Sequence, residues 1–199
     1  KILISEDPNR NKMAYPTVNW FDELLDDYTL NNRFNFSLSG GGKIARYYLA
    51  STVNTDNGNL KVDSRNNFNS NINFKRVSLR SNINVNLTKS TTVALKFNGN
   101  FDDYNGPLDG GAEVYRKAMK ANPVLYPKFY EPDAQFQNSN HILFGNAGQF
   151  GDYLNPYADL MRGYKDESYN NFLATVEIKQ DLGFIAEGLK FRILGNTSR

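Results

Sequence analysis

Few side chains in this sequence have the types and spacing that catalysis or metal binding requires. Cysteine is absent and His141 is the only histidine, which excludes thiolate and multi-histidine metal sites and disfavours a triad with a histidine base. Asp102, Asp103 and Asp109 are close in sequence, but no second catalytic group is spaced to work with them, so we interpret them as solvated charge. The glycines before Lys43 lack the remainder of a phosphate-binding loop. The sequence therefore predicts no enzyme activity, no metal and no cofactor.

Composition limits the partners as well. Lys and Arg number 23 and Asp and Glu 21, a net charge of +2, so no overall field would gather nucleic acid. The mean hydropathy is -0.59 and no window holds 18 consecutive apolar residues, which excludes a transmembrane helix. The chain contains 28 asparagines. Because asparagine is depleted in ordinary strands, asparagine within strands indicates a face that stays wet.

Alternating apolar and polar residues predict six strands, over 32–39, 43–54, 75–88, 91–104, 169–180 and 189–198. Long connections, 55–74 and 105–168, alternate with short turns. In the first hairpin we expect Phe36 to pair with Ala45 and Ser39–Gly42 to form the turn, whereas the second hairpin should turn in three or five residues near Lys89. Helices are predicted at Trp20–Leu25, capped by Asn19, and at Ala112–Lys120.

The third and fourth predicted strands have two faces of opposite character. At about 3.3 Å per residue, a run of 14 residues extends roughly 46 Å, enough to cross an outer membrane when tilted. Alternation also fits a soluble sandwich, but strictly alternating short turns and long loops are typical of outer-membrane barrels. In a barrel the lumen-facing residues would be Arg76, Arg80, Asn82, Asn84, Asn86, Lys96, Asn98 and Asn100. The lipid-facing residues would be Val77, Leu79, Ile83, Val85, Leu87, Val93, Leu95 and Phe97.

Several segments together resemble one family, the SusC/RagA group of TonB-dependent outer-membrane transporters of the Bacteroidetes. The combination of an SGG hairpin, a YYLAS strand and an R-x-N-x-N-V strand carries most of the resemblance. The matching stretches follow the order of the family and are NWFDELLDD, FNFSLSGGGKIARYYLASTVNTDNGNL, FKRVSLRSNINVNLTKSTTVALKFNGNFDDYNGP, NPVLYP, LNPYADLMRGY and GLKFRILGN.

The resemblance implies an all-β fold of antiparallel strands, with residues 1–199 forming part of a 22-stranded transmembrane β-barrel with long extracellular loops and short periplasmic turns. Six strands cannot close such a barrel, so we expect the chain to belong to a larger one. The family imports large nutrients, mostly glycans and sometimes peptides, across the outer membrane. Its partners are a SusD-like substrate-binding lipoprotein and TonB; the plug and the TonB-contacting segment are not recognisable in these residues.

The long loop 105–168 would face outside and is rich in aromatic side chains. Exposed aromatic rings stack on sugars and on peptide side chains, which makes Tyr115, Tyr126, Phe129 and Tyr130 candidates for substrate contact, although packing explains them equally well. The alternative function is a soluble or surface-exposed, β-rich glycan-binding or adhesive module. The two functions differ in whether the apolar strand face meets lipid or a protein core.

Overall fold

The computed structural model describes residues 9–146 and 155–199. It is mostly antiparallel β, with 48% of residues in strands and 11% in helices. The elements in chain order are α1 Trp20–Leu24, β1 Asn32–Gly41, β2 Ala45–Asn57, β3 Asn73–Asn86, β4 Thr91–Pro107, α2 Gly111–Lys120, β5 Phe129–Tyr130, β6 Leu143–Phe144, α3 Pro156–Met161, β7 Tyr164–Asp181 and β8 Lys190–Ser198. No helix within the described ranges is long and apolar enough to span a membrane.

The chain divides into two compact units. The first, which we call the helical unit, contains the described residues of 9–29, 57–73, 105–146 and 155–166. The second, which we call the sheet unit, contains 30–56, 74–104 and 167–199. Each unit has its own packing and is described separately.

The sheet unit is a six-stranded sheet with the strand order β1-β2-β3-β4-β7-β8. The sheet is not closed, because β1 and β8 each pair on one side only among the described strands. Its three short turns lie at one end, where Asn86 N donates to Ile44 O at 2.7 Å and Asp181 N donates to Ser90 O at 2.8 Å. The turn of each of the first two hairpins thus accepts a hydrogen bond from the end of a strand in the next hairpin.

All six predicted strands are present, and most are longer than predicted. β4 continues to Pro107 and β7 begins at Tyr164, so both strands extend into the stretch that we expected to be loop. Alternation of apolar and polar residues fades in these extensions, which is why the pattern did not detect them. β7, at 18 residues, is the longest strand in the described part of the chain.

The register of the first hairpin differs from the prediction. Phe36 lies opposite Ser51, not Ala45, and the turn is formed by residues 42–44 and not by Ser39–Gly42. The turn is closed by a hydrogen bond from Gly42 N to Ala45 O at 2.8 Å. Both registers pair even-numbered with odd-numbered residues, so the two faces keep the composition that the alternation predicted.

Of the three consecutive glycines 40–42, the first two belong to β1, and close packing against β2 explains why they are glycines. A Cβ atom on Gly40 would lie 2.6 Å from Tyr47 Oη, and one on Gly41 would lie 2.6 Å from Arg46 Cγ. The glycines therefore leave room for the large side chains of the opposite strand. We had read them as turn residues, the more common role of consecutive glycines.

This packing predicts the effect of adding a side chain to the hairpin. Gly41→Val should lower the free energy of unfolding of the protein by about 1–3 kcal/mol, because its Cβ would also lie 2.8 Å from the backbone oxygen of Ala45. Gly42→Val is the matched control, since no atom lies within 4 Å of its added Cβ. Urea midpoints measure both variants, and equal midpoints would contradict the observed register.

The second hairpin has a three-residue turn, one of the two lengths that the sequence predicted. Side chains pair across β3 and β4 in steps of two residues, from Arg76 with Asp102 to Arg80 with Asn98. The same register brings Leu87 opposite Thr91, and Leu87 N donates to Thr91 O at 2.9 Å. Residues 88–90 form the turn between them.

The helical unit has a compact apolar core. α1 begins and ends almost where predicted, with Trp20 3% and Leu24 0% exposed. Asn19 does not cap this helix with its side chain, which instead donates to Asp22 Oδ2 at 2.5 Å. The core residues are Trp20, Leu24, Leu60, Val114, Ala118, Ala121, Tyr126, Tyr157 and Leu160.

The described residues of 105–168 contain more regular secondary structure than the sequence predicted. α2 lies where expected; of the apolar side chains that its spacing puts on one stripe, Val114, Tyr115, Ala118 and Met119, only Val114 and Ala118 are buried. A two-stranded ladder, β5–β6, and a third helix, α3, were not predicted. Residues 147–154 lie outside the described residues.

Candidate functional site

The polar face of the sheet unit is built from side chains that hydrogen-bond between neighbouring strands. Three such pairs join β3 to β4: Arg76 with Asp102 at 2.7 and 2.6 Å, Ser78 with Asn100 at 2.8 Å, and Arg80 with Asn98 at 3.0 Å. Two pairs join β1 to β2: Arg33 with Asn54 and Asn35 with Thr52, both at 2.9 Å. We call these pairs the polar ladder. The four asparagines of these pairs each accept a hydrogen bond from the neighbouring strand, which helps this face to accommodate asparagine.

A cavity of about 450 Å³ lies on the polar ladder. Its lining includes Tyr48, Thr52, Arg80, Asn98 and Asn100. A phenol ring, a guanidinium, hydroxyls and amides together can bind a ligand with many hydroxyl or peptide groups. Among the described residues, no group of three or more His, Asp or Glu could hold a metal ion.

The predicted lumen-facing residues lie on this polar face. Arg76, Arg80, Asn98 and Asn100 are members of the polar ladder, and Lys96 Nζ lies 3.7 Å from Glu177 Oε2. Asn86 accepts from Thr92 Oγ1 at 3.3 Å and donates to the backbone oxygen of Lys43 at 2.9 Å. Asn82 and Asn84 belong to the same face by alternation along β3. Whether this face lines a lumen stays a prediction.

The predicted lumen-facing residues leave out several members of the polar face. Arg33, Asn35, Thr52 and Asn54 occupy it through the first hairpin, where the same period of two was visible. The sequence also contained no indication that Glu177 is buried on this face. Its side chain is 3% exposed, and its carboxylate lies 2.5 Å from Arg192 Nε. A single glutamate in an alternating strand does not reveal that several cations from its own and neighbouring strands lie around it.

The opposite face of the sheet unit is apolar and open. Phe36, Leu49, Leu79 and Phe97 meet around a depression of about 310 Å³ on it, and the Phe97 and Phe172 rings stack with centroids 6.4 Å apart. Large apolar side chains on this face are exposed: Phe34, Phe36, Leu38, Leu87, Leu95, Val176, Phe191 and Ile193. Alternation puts the remaining predicted lipid-facing residues on the same face: Val77, Ile83, Val85 and Val93.

The three aspartates around residue 105 differ in their surroundings. Asp102 is not a free solvated charge, because Arg76 binds it through two nitrogens and its side chain is 17% exposed. Asp103 and Asp109 are exposed, as predicted, and contact Ser168 and Arg162 respectively.

The four aromatic residues proposed for substrate contact have different surroundings in the helical unit. Tyr126 is 3% exposed and packs against Trp20, with ring centroids 5.6 Å apart. Phe129 is half-buried beneath the guanidinium of Arg65, and Tyr130 lines a cavity of about 180 Å³ beside it. Tyr115 is 50% exposed and is the most accessible of the four.

An electrostatic cluster centred on Asp63 holds the helical unit together. The Asp63 carboxylate accepts from Arg65 Nε at 2.9 Å, from Arg65 Nη2 at 2.8 Å and from Tyr157 Oη at 2.6 Å. The Arg65 guanidinium holds the pKa of the Asp63 carboxyl well below its usual range, against the opposing effect of burial. Burial and the bond to Asp63 raise the pKa of Tyr157. The cluster joins two chain segments that are far apart in sequence, one with Asp63 and Arg65 and the other with Tyr157.

This cluster predicts how stability depends on pH. Because the pKa of Asp63 is lowered by folding, its contribution is fully present above the unfolded value of about 3.9 and is lost as pH falls below it. Asp63→Asn should lower the free energy of unfolding at neutral pH. The variant should also lose less stability in acid, because it has no carboxylate to protonate at this position. Asp27→Asn is the control, since Asp27 is exposed and makes no ion pair in the described part of the chain. Urea titrations across pH measure this, and parallel curves for Asp63→Asn and the unmodified protein would contradict it.

Comparison with known proteins adds no assignment to this geometry. No protein-family model matches the chain, and no curated protein is significantly similar to it in sequence. The two faces of the sheet unit therefore provide the basis for a proposed function.

Proposed function

We propose that the chain forms part of the wall of a large outer-membrane β-barrel that imports nutrients. The observation that carries this proposal is the exposed apolar face of the sheet unit. Soluble proteins rarely expose contiguous apolar patches larger than a few hundred Å². A surface spread over six strands and bearing exposed Phe34, Phe36, Phe191 and Ile193 suits contact with lipid.

Strand length and the polar face support the same proposal. β2, β3, β4 and β7 have 13, 14, 17 and 18 residues, long enough to cross a bilayer when tilted, whereas most strands of soluble proteins have five or six. The polar ladder would then line a water-filled passage. In such a wall the short turns lie on the periplasmic side and the long connections lie outside.

We assign the protein to TonB-dependent uptake in the manner of the SusC/RagA transporters. Substrates would be oligosaccharides, or peptides as a second class, delivered by a SusD-like lipoprotein and driven by TonB. The cavity beside Tyr48 and Arg80 offers the ring, guanidinium and amide groups that such ligands need. The protein would bind and pass its substrate without covalent chemistry.

Antibodies against two exposed segments test this proposal in source cells. One recognises residues 131–141 of the long connection, and the control recognises residues 182–189 of the last short turn. We expect an outer-membrane band near or above about 100 kDa, with intact cells bound only by the first antibody. A band near 23 kDa in the soluble fraction would favour the soluble glycan-binding module instead. Equal binding of both antibodies to intact cells would contradict the proposed topology.

A further inference from the structure

A cationic cavity lies at the end of the sheet unit where the short turns meet. It measures about 360 Å³ and is lined by Lys89, Ser90, Thr92, Lys179, Gln180, Asp181, Lys190 and Arg192. Gln180 of this lining accepts from Thr91 Oγ1 at 2.6 Å and donates to Ser90 Oγ at 3.0 Å. The end of β7 is thereby fixed to the turn between β3 and β4.

The charges around this cavity are unbalanced. Four cations and one carboxylate line the cavity, and the Glu177 carboxylate contacts two of these cations from outside the lining, so the four positive charges meet two negative charges. Asp181 does not neutralise its cross-strand neighbour Lys190, because no ion pair joins them and Asp181 Oδ1 accepts from Gly183 N at 2.9 Å. Neither Lys89 nor Lys190 forms an ion pair with any described residue.

Two of the cations are held in position by the Glu177 carboxylate. Lys179 lies directly opposite Arg192, an arrangement of like charges that weakens a strand pair. Glu177 offsets part of the repulsion, since its carboxylate lies 3.1 Å from Lys179 Nζ and 2.5 Å from Arg192 Nε. The terminal nitrogens of Arg192 remain available to bind an oxyanion, and Lys89 and Lys190 can approach from the turns.

We propose that this cavity binds an anionic group, carboxylate or phosphate, of a small ligand. Lys179 and Arg192, both held by Glu177, and the two lysines without ion pairs together provide the charge and the donors. The hydroxyls of Ser90 and Thr92 can donate additional hydrogen bonds. The site is separate from the cavity beside Tyr48 and does not depend on the nutrient that the protein imports.

Calorimetric titration of the purified full-length protein with citrate and with pyrophosphate tests this site at low ionic strength. Citrate supplies carboxylates and pyrophosphate supplies phosphates, so the anion that binds with the higher affinity shows which of the two groups the cavity prefers. The variant with both Lys89→Gln and Lys190→Gln should bind about tenfold more weakly. Arg192 is left intact, because removing it would leave the Glu177 carboxylate short of its nearest cation.

Lys43→Gln is the matched control, since Lys43 belongs to another short turn and does not line the cavity. We expect its affinity to equal that of the unmodified protein. The proposal would be overturned if neither citrate nor pyrophosphate bound. So would unchanged affinity in the double variant, or equal weakening in Lys43→Gln, which would reveal general charge attraction.

Discussion

Replacing Asn155 with alanine is expected to lower the free energy of unfolding of the helical unit by about 3 kcal/mol. The side chain is 1% exposed and makes four hydrogen bonds. Its Oδ1 accepts from the backbone nitrogens of Tyr157 and Ala158 at 3.0 and 3.3 Å, which caps α3. Its Nδ2 donates to the carbonyl oxygens of Lys128 and Gly145 at 2.9 and 2.8 Å. Alanine would leave all four backbone groups without these partners.

Fluorescence of Trp20, the only tryptophan of the sequence, follows this loss in urea because its ring lies in the same core. Asn122→Ala is the control, since Asn122 is exposed and accepts a single bond, from Val124 N at 3.0 Å. Asn155→Asp keeps the cap and loses the two donors. If Asn155→Asp were as stable as the unmodified protein, the bridge to Lys128 and Gly145 would contribute nothing.

Replacing Ile83 with arginine is expected to destabilise the membrane-inserted protein by about 2–4 kcal/mol. In the proposed barrel Ile83 faces lipid on β3, and a charge exposed to hydrocarbon loses its hydration. The fraction of protein folded into lipid vesicles at increasing urea measures the difference. The size of the effect depends on depth, so the cost falls if Ile83 lies near the membrane surface.

Asn84→Arg is the matched control, because it adds the same charge one residue away on the opposite face. Asn84 is exposed on the polar side of β3, where a guanidinium stays hydrated. We expect a change within about 0.5 kcal/mol, as for an ordinary exposed substitution. Equal destabilisation by the two variants would contradict the assignment of lipid and water to the two faces.

Strand positions and faces were readable from the sequence because side chains alternate with a period of two. This period located all six long strands and correctly separated the polar from the apolar side. It did not determine the register of the first hairpin, since a shift of six residues preserves the faces. That register depends on how Tyr47 and Arg46 pack over Gly40 and Gly41, which only the folded chain reveals.

The helical unit was less predictable because its order arises from contacts between distant segments. Tyr157 reaches Asp63, and Lys128 Nζ lies 2.6 Å from Glu23 Oε2, pairs that no local pattern encodes. One local signal was available and unused: Asn155 followed by Pro156 is typical of a helix start. The substrate-contact predictions relied on residue type alone, so they did not separate buried Tyr126 from exposed Tyr115.

The central claim is that the apolar face of the sheet unit meets lipid, and site-specific labelling tests it most directly. The sequence has no cysteine, so Val85→Cys and Asn84→Cys each introduce a single reporter, on opposite faces of β3. In native membranes we predict that a membrane-confined thiol reagent labels Val85→Cys and not Asn84→Cys, whereas a water-soluble reagent shows the reverse. Protection of Val85→Cys from both reagents would contradict the claim, because it would place this face inside a protein core.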